Sequence, residues 1–200
     1  MAATDSPKTP TWRDRTENTH TAHLQEFAGR DIEVLLLGDS MFERLKTTGK
    51  GIWTTNPAVG NAGVGGDKTQ HVLWRLEQGL LKVVRPKKIL LMIGTNNLES
   101  HPPEDIYEGI VAIIDRIKAE APTCHIVLLG ILPRNIGDYP KGQANHMSLT
   151  SINQKLAVLP GVEYYDFGEL FNEKAELYAD HVHFNKSGYQ IWCQQLHKLI

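Results

Sequence analysis

The feature that most restricts this chain is a rhythm of short, almost unbroken apolar runs separated by helical patterns. The runs fall at 32–37, 88–93, 125–129 and 162–167, with a shorter one near 58–61. A run with no polar alternation fits a strand covered on both faces. Between the runs, Ile106, Ile110, Ile113, Ile114 and Ile117 recur at helix spacing. Pro103, Glu104 and Asp105 suit the first turn of that helix. Val72, Leu73, Leu76 and Leu80 mark a helix after Asp67, and Met147, Leu149, Ile152 and Leu156 mark another over 144–158. The last helix starts near Lys186 behind Asn185 as its cap, and Trp12, Leu24 and Phe27 give a weaker signal over 11–28. Strand alternating with helix predicts an α/β domain on a mostly parallel sheet.

Residues 1–10 are polar with two prolines and are expected to be a disordered tail, leaving 11–200 as a single domain. Hydrophobic residues make up 41% and charged residues 22%, enough apolar content for one core and typical of a soluble globular chain. The net charge of −2 argues against a nucleic-acid partner, which usually needs a basic stripe. No apolar run reaches the roughly 18 residues of a membrane span, so no integral membrane segment is expected. The first residues show no apolar signal region, and the expectation is a cytoplasmic protein with Cys124 and Cys193 as free thiols.

Ligands of open parallel sheets bind beyond the carboxyl ends of the strands. Four segments fall there. Leu37-Gly38-Asp39-Ser40 closes the first strand and puts Ser40 at a helix N-terminus, where it could cap the helix or act as a nucleophile. Asn61-Ala62-Gly63-Val64-Gly65-Gly66-Asp67 follows the second strand; it is either a flexible connector or the source of a bare N–H at Gly66. The third glycine of a dinucleotide fingerprint is missing there, and no phosphate loop occurs elsewhere. Ile93-Gly94-Thr95-Asn96-Asn97 offers the Asn96 amide, or a turn. Asp180-His181-Val182-His183 sets an acid three residues before a histidine, a spacing that lets the carboxylate hold Nδ1–H and aim Nε2 at a hydroxyl. His181 and His183 lack a third ligand at recognisable spacing, so no metal and no cofactor are expected. Asp39 is assigned a structural role, bonding nearby backbone.

Each segment alone is ambiguous. Together and in this order they resemble the four blocks of the SGNH (GDSL-type) hydrolase superfamily, marked by Ser40, Gly66, Asn96 and His183. Within it, 61–76, Gly94–Asn97 and Gly130-Ile131-Leu132-Pro133-Arg134 are similar to the catalytic subunits of intracellular platelet-activating-factor acetylhydrolase. The resemblance implies a flavodoxin-like three-layer α/β/α sandwich with a five-stranded parallel sheet. It also implies metal-free hydrolysis of small-molecule esters, acetyl esters first, of a carbohydrate, lipid or xenobiotic. The triad would be Ser40, His183 and Asp180. The oxyanion donors would be the N–H groups of Ser40 and Gly66 and the side chain of Asn96. The chain departs from the pattern in 46–58 and 134–146, where Trp53, Arg134, Asn135 and Tyr139 are candidates to line the alcohol pocket. A long-chain lysophospholipase or thioesterase, and a scaffold on the same fold, are the alternatives; the resembled subunits also make a homodimer an expectation.

Overall fold

The computed structural model describes residues 5–50, 56–135, 137 and 142–200, without the side chains of 142 and 143. Five strands form one parallel sheet: β1 (Val34–Gly38), β2 (Val59–Gly63), β3 (Lys88–Met92), β4 (His125–Leu129) and β5 (Glu163–Tyr165). Their order is β2-β1-β3-β4-β5. Among the described residues seven α-helices accompany them: α1 (Asp14–Phe27), α2 (Ser40–Glu43), α3 (Thr69–Glu77), α4 (Leu80–Val83), α5 (Pro103–Glu120), α6 (Gly142–Leu156) and α7 (Lys186–Leu196). This is the α/β architecture expected from the alternating pattern.

The apolar runs are continuous because both sheet faces are covered. Leu35, Leu37, Ile89, Leu91, Ile126 and Leu128 face one core, shared with α1, α3, α5 and α6. Leu36, Leu90, Met92, Val127 and Leu129 face the other, shared with α2 and α7. Successive residues of a strand point to opposite faces, so each face needs its own apolar set. On α5 all five isoleucines named above are buried, each contributing about 2 kcal/mol through burial.

Three boundaries differ from the pattern. The helix after Asp67 is broken at Gly79 into α3 and α4. The last strand, at the sheet edge beside β4, is only three residues long. Residues 5–10 fall in the stretch assigned to a tail, yet they run against α3 and α5. Thr69 Oγ1 donates to Pro7 O at 2.9 Å, Gln70 Nε2 to Asp5 Oδ1 at 2.6 Å, and Lys8 pairs with Glu108. Composition missed these ties because they are polar and long-range. Cys124 and Cys193 are free thiols.

The register places the site. Gly38 is level with Gly63 on β2 and with Met92 on β3. From β1 the chain passes to β2 on one side, and β3 then adds on the other. The loops leaving β1, β2 and β3 therefore emerge together where strand order reverses, the position at which open α/β sheets form a crevice.

Candidate active site

Gly38 lets β1 pass tightly against its neighbour. A Cβ there would lie 2.1 Å from Met92 O, which no side chain tolerates. The next residue bears on whether Ser40 is a cap. Asp39, with extended backbone, is the N-cap of α2 and accepts from Met41 N at 2.9 Å. The cap is thus filled by Asp39, and the Ser40 hydroxyl is left for other work. Ser40 Oγ stands 2.7 Å from His183 Nε2. His183 Nδ1 meets Asp180 Oδ2 at 2.8 Å and Oδ1 at 3.0 Å. Asp180 Oδ1 also accepts from the backbone of Val182 and His183, at 2.8 and 2.7 Å, so the acid is fixed by its own loop.

That loop is brought to Ser40 by aromatic packing. Phe184 is fully buried and stacks on Phe171 with ring centroids 4.1 Å apart. Tyr178 and Phe184 form an isolated antiparallel bridge. Asn185 caps α7 by accepting from Gly188 N. On α7, Trp192 stacks on Phe42, and Tyr189 Oη donates to Met41 O at 3.0 Å. Phe42 and Met41 belong to α2, so α7 docks on the helix that carries Ser40. Tyr189 was not singled out in the sequence; its only signal was an aromatic at helix spacing.

The electrostatics suit proton transfer. Burial pushes the His183 imidazole down from its ordinary value, opposed by Asp180 and reinforced by the charge of Arg44. Burial also works against the Asp180 charge, but the two backbone N–H groups and the imidazole outweigh it and hold the carboxyl at about 2. Arg44 Nη1 lies 3.8 Å from Asp180 Oδ2, a partner the sequence reading missed. Asp39 is different. Full burial pushes its carboxyl up to about 7, against the pull of the capping Met41 N–H.

The two other blocks meet each other. Gly66 has φ +77, a conformation that favours glycine. Asn96 Nδ2 donates to Asp67 O at 2.9 Å, tying the loop after β3 to the loop after β2. Among the described residues no three His, Cys, Asp or Glu side chains cluster as a metal site.

A cavity of about 10 Å³ is lined by Asp39, Met41, Met92, Thr95, Leu132 and Val182, and not by Ser40, Asn96 or His183 themselves. Arg134 lines it too, but its guanidinium is committed: to Thr95 Oγ1 at 3.1 Å, Thr95 O at 2.6 Å and Glu99 at 2.9 Å. It braces the turn that carries Asn96. Asn135 lies on an adjoining groove of about 510 Å³ that Arg134, His146 and Tyr178 also line. Trp53 and Tyr139 lie outside the described residues.

The arrangement can generate a nucleophile: a hydroxyl bonded to a neutral imidazole whose far nitrogen is held by a carboxylate. The GDSL-like lipase/acylhydrolase family model matches residues 36–191, which span all four blocks. The chain belongs to the GDSL-like lipase/acylhydrolase family. As a member it is a carboxylic ester hydrolase. The platelet-activating factor acetylhydrolase IB subunit alpha1 of Rattus norvegicus is 33% identical over 190 residues, covering 90% of this chain and 80% of its own. A GDSL-like lipase from Bacteroides thetaiotaomicron superposes with TM-score 0.74 at 15% identity, covering 90% of this chain and 98% of that one. An acetyl xylan esterase superposes with TM-score 0.67 at 18% identity, covering 84% of this chain and all of that one. At these identities the two solved structures show a shared fold. No helix among the described residues of this GDSL hydrolase is long and apolar enough to cross a membrane.

Proposed function

We propose that Ser40 is the nucleophile of an esterase that removes short acyl groups, acetyl first, from a small-molecule alcohol. His183 takes the hydroxyl proton as Ser40 Oγ attacks the ester carbonyl, and Asp180 stabilises the imidazolium. The N–H groups of Ser40 and Gly66 and the amide of Asn96 hold the tetrahedral oxyanion, each donor contributing about 3 kcal/mol to transition-state stabilisation. The alkoxide leaves with the proton from His183, and water then cleaves acyl-Ser40 with His183 as base.

The observation that carries this reading is the 2.7 Å contact between Ser40 Oγ and His183 Nε2, across 143 residues of chain. The short-acyl preference is supported by the name of a relative 33% identical to this chain, a platelet-activating factor acetylhydrolase subunit. The alcohol would leave toward the groove beyond Arg134, where Asn135 is available to it.

Turnover of 4-nitrophenyl esters tests both parts. Ser40→Ala and His183→Ala should each lower kcat by about 10⁴-fold or more, and Asp180→Asn by less. Full activity in Ser40→Ala would remove the nucleophile. Across acetyl, butyryl and octanoyl esters the rate should fall with length; faster octanoyl turnover would favour a long-chain lysophospholipase or thioesterase.

A further inference from the structure

The segment before α1 reaches over the loop that follows β2. Arg13, the residue preceding α1, donates from Nη2 to Gly65 O at 2.5 Å and to Asp67 Oδ1 at 3.2 Å. Its Nε donates to Thr16 Oγ1 at 3.0 Å, and Thr16 Oγ1 donates to Asp67 Oδ1 at 2.6 Å. Asp67 is fully buried, with Arg75 Nε 3.5 Å from its other oxygen. The guanidinium thus brackets Gly66, bonding the carbonyl before it and the side chain after it. A Cβ on Gly66 would lie 2.9 Å from Arg13 Nη1. The backbone oxygen of Asp67 is the atom that accepts from Asn96.

One covalent fact turns this clamp toward catalysis. Gly65 C=O and Gly66 N–H belong to the same planar trans peptide, so they point in opposite directions. A charged donor holding the carbonyl fixes where the N–H points, and it polarises the peptide so that the N–H donates more strongly. Without it, two adjacent glycines leave that peptide free to rotate, because neither has a Cβ to restrict its backbone.

We propose that Arg13 is a positioning residue for catalysis: it orients and polarises the Gly65–Gly66 peptide so that the Gly66 N–H serves as an oxyanion donor. The proposal rests on the esterase reading, in which Gly66 is such a donor. Arg13 touches no substrate. It acts through the far end of one peptide and, through Asp67, on the residue that anchors Asn96.

The test compares Arg13→Met, which keeps the aliphatic stem, with Arg13→Lys and with Lys8→Met. The last removes an exposed tie of the same N-terminal segment, to Glu108. Active sites are counted by organophosphate titration, so kcat refers to folded enzyme. Arg13→Met should lower kcat on 4-nitrophenyl acetate by about 10- to 100-fold with KM little changed, as expected for a donor effective in the transition state. Binding of methylboronic acid, which becomes tetrahedral and anionic on the serine, should weaken in proportion. Because the Arg13 side chain is one-third exposed, added guanidinium ion should restore part of the rate. Arg13→Lys should recover part of it and serves if the methionine variant does not fold. Lys8→Met should keep full kcat. An Arg13→Met enzyme with wild-type kcat and boronate affinity and only a lower melting temperature would overturn the proposal. A wild-type chain without ester turnover or Ser40 labelling would instead remove the esterase reading beneath it.

Discussion

Arg44 and Asp180 form an ion pair across the mouth of the site, with Arg44 Nη1 3.8 Å from Asp180 Oδ2. Arg44 follows α2 directly, so the segment that presents Ser40 also carries a cation to Asp180, the acid that, in the proposed mechanism, orients the base. Both partners are partly exposed, and the pair itself adds little to stability. Its effect is on titration: with burial, the Arg44 charge lowers the pKa of His183.

If His183 is the base proposed above, it acts only when neutral, so activity is present above its pKa and lost as pH falls through it. Because that pKa is lowered, the acid limb of kcat/KM against pH should lie below 6.5, the ordinary histidine value. Arg44→Met removes a positive charge and should move the limb toward higher pH. A limb that stays in place or moves to lower pH would show that Arg44 does not act on the base.

Asp39 predicts a pH dependence of stability. Its carboxyl is raised from 3.8 to about 7 by burial. The folded state therefore keeps a proton that the unfolded state loses, and the stability from this group is lost as pH rises from about 4 to about 7. Asn can still accept from Met41 N and carries no charge. Asp39→Asn should be more stable than wild type at pH 8, by an amount on the order of a few kcal/mol, with the advantage gone near pH 4. Urea denaturation at both pH values measures it; equal midpoints throughout would mean that Asp39 is ionised without penalty.

His20 predicts the opposite slope. It is buried edge-on against Trp74, and neither ring nitrogen makes a hydrogen bond of normal geometry. Burial, helped by the charge of Arg75, lowers its pKa from 6.5 to about 4. The unfolded state takes up a proton that the folded state refuses, so stability is full above 6.5 and declines as pH falls toward 4. His20→Leu removes the unpaired polar ring. It should raise stability at pH 5 by about 1–3 kcal/mol and by less at pH 8. Thermal melts at the two pH values decide, and a loss at pH 5 would show that the imidazole is satisfied.

Gly38→Ala tests the close approach of β1 to β3. Its methyl would meet Met92 O, a backbone atom that cannot rotate away. The variant should lose about 3 kcal/mol or more, and its kcat should fall as well, because Ser40 lies two residues on. A variant as stable and active as wild type would mean that the strands separate freely at this point.

The layered α/β plan and the four blocks that the fold brings to one end of the sheet were legible in the linear chain. Most of the unbroken apolar runs became strands buried on both faces, and the Asp180–His183 pair needs no tertiary contact, since three residues of loop let the carboxylate reach Nδ1. Both are local properties. The Gly-Asp-Ser segment alone left Ser40 open between cap and nucleophile, and only the fold shows that Asp39 takes the cap and that Tyr189 and Trp192 dock α7 on α2, with His183 Nε2 2.7 Å from the hydroxyl. Arg134, a candidate for substrate contact by position, was drawn into bonds with Thr95 and Glu99. Arg13 lay in a polar stretch with no periodicity to mark it, and only the folded chain set it against Gly65. What periodicity and short spacing govern was written in the order of residues; which donor meets which acceptor across 50 or 140 residues depends on how the layers pack, and that is decided only when the core closes.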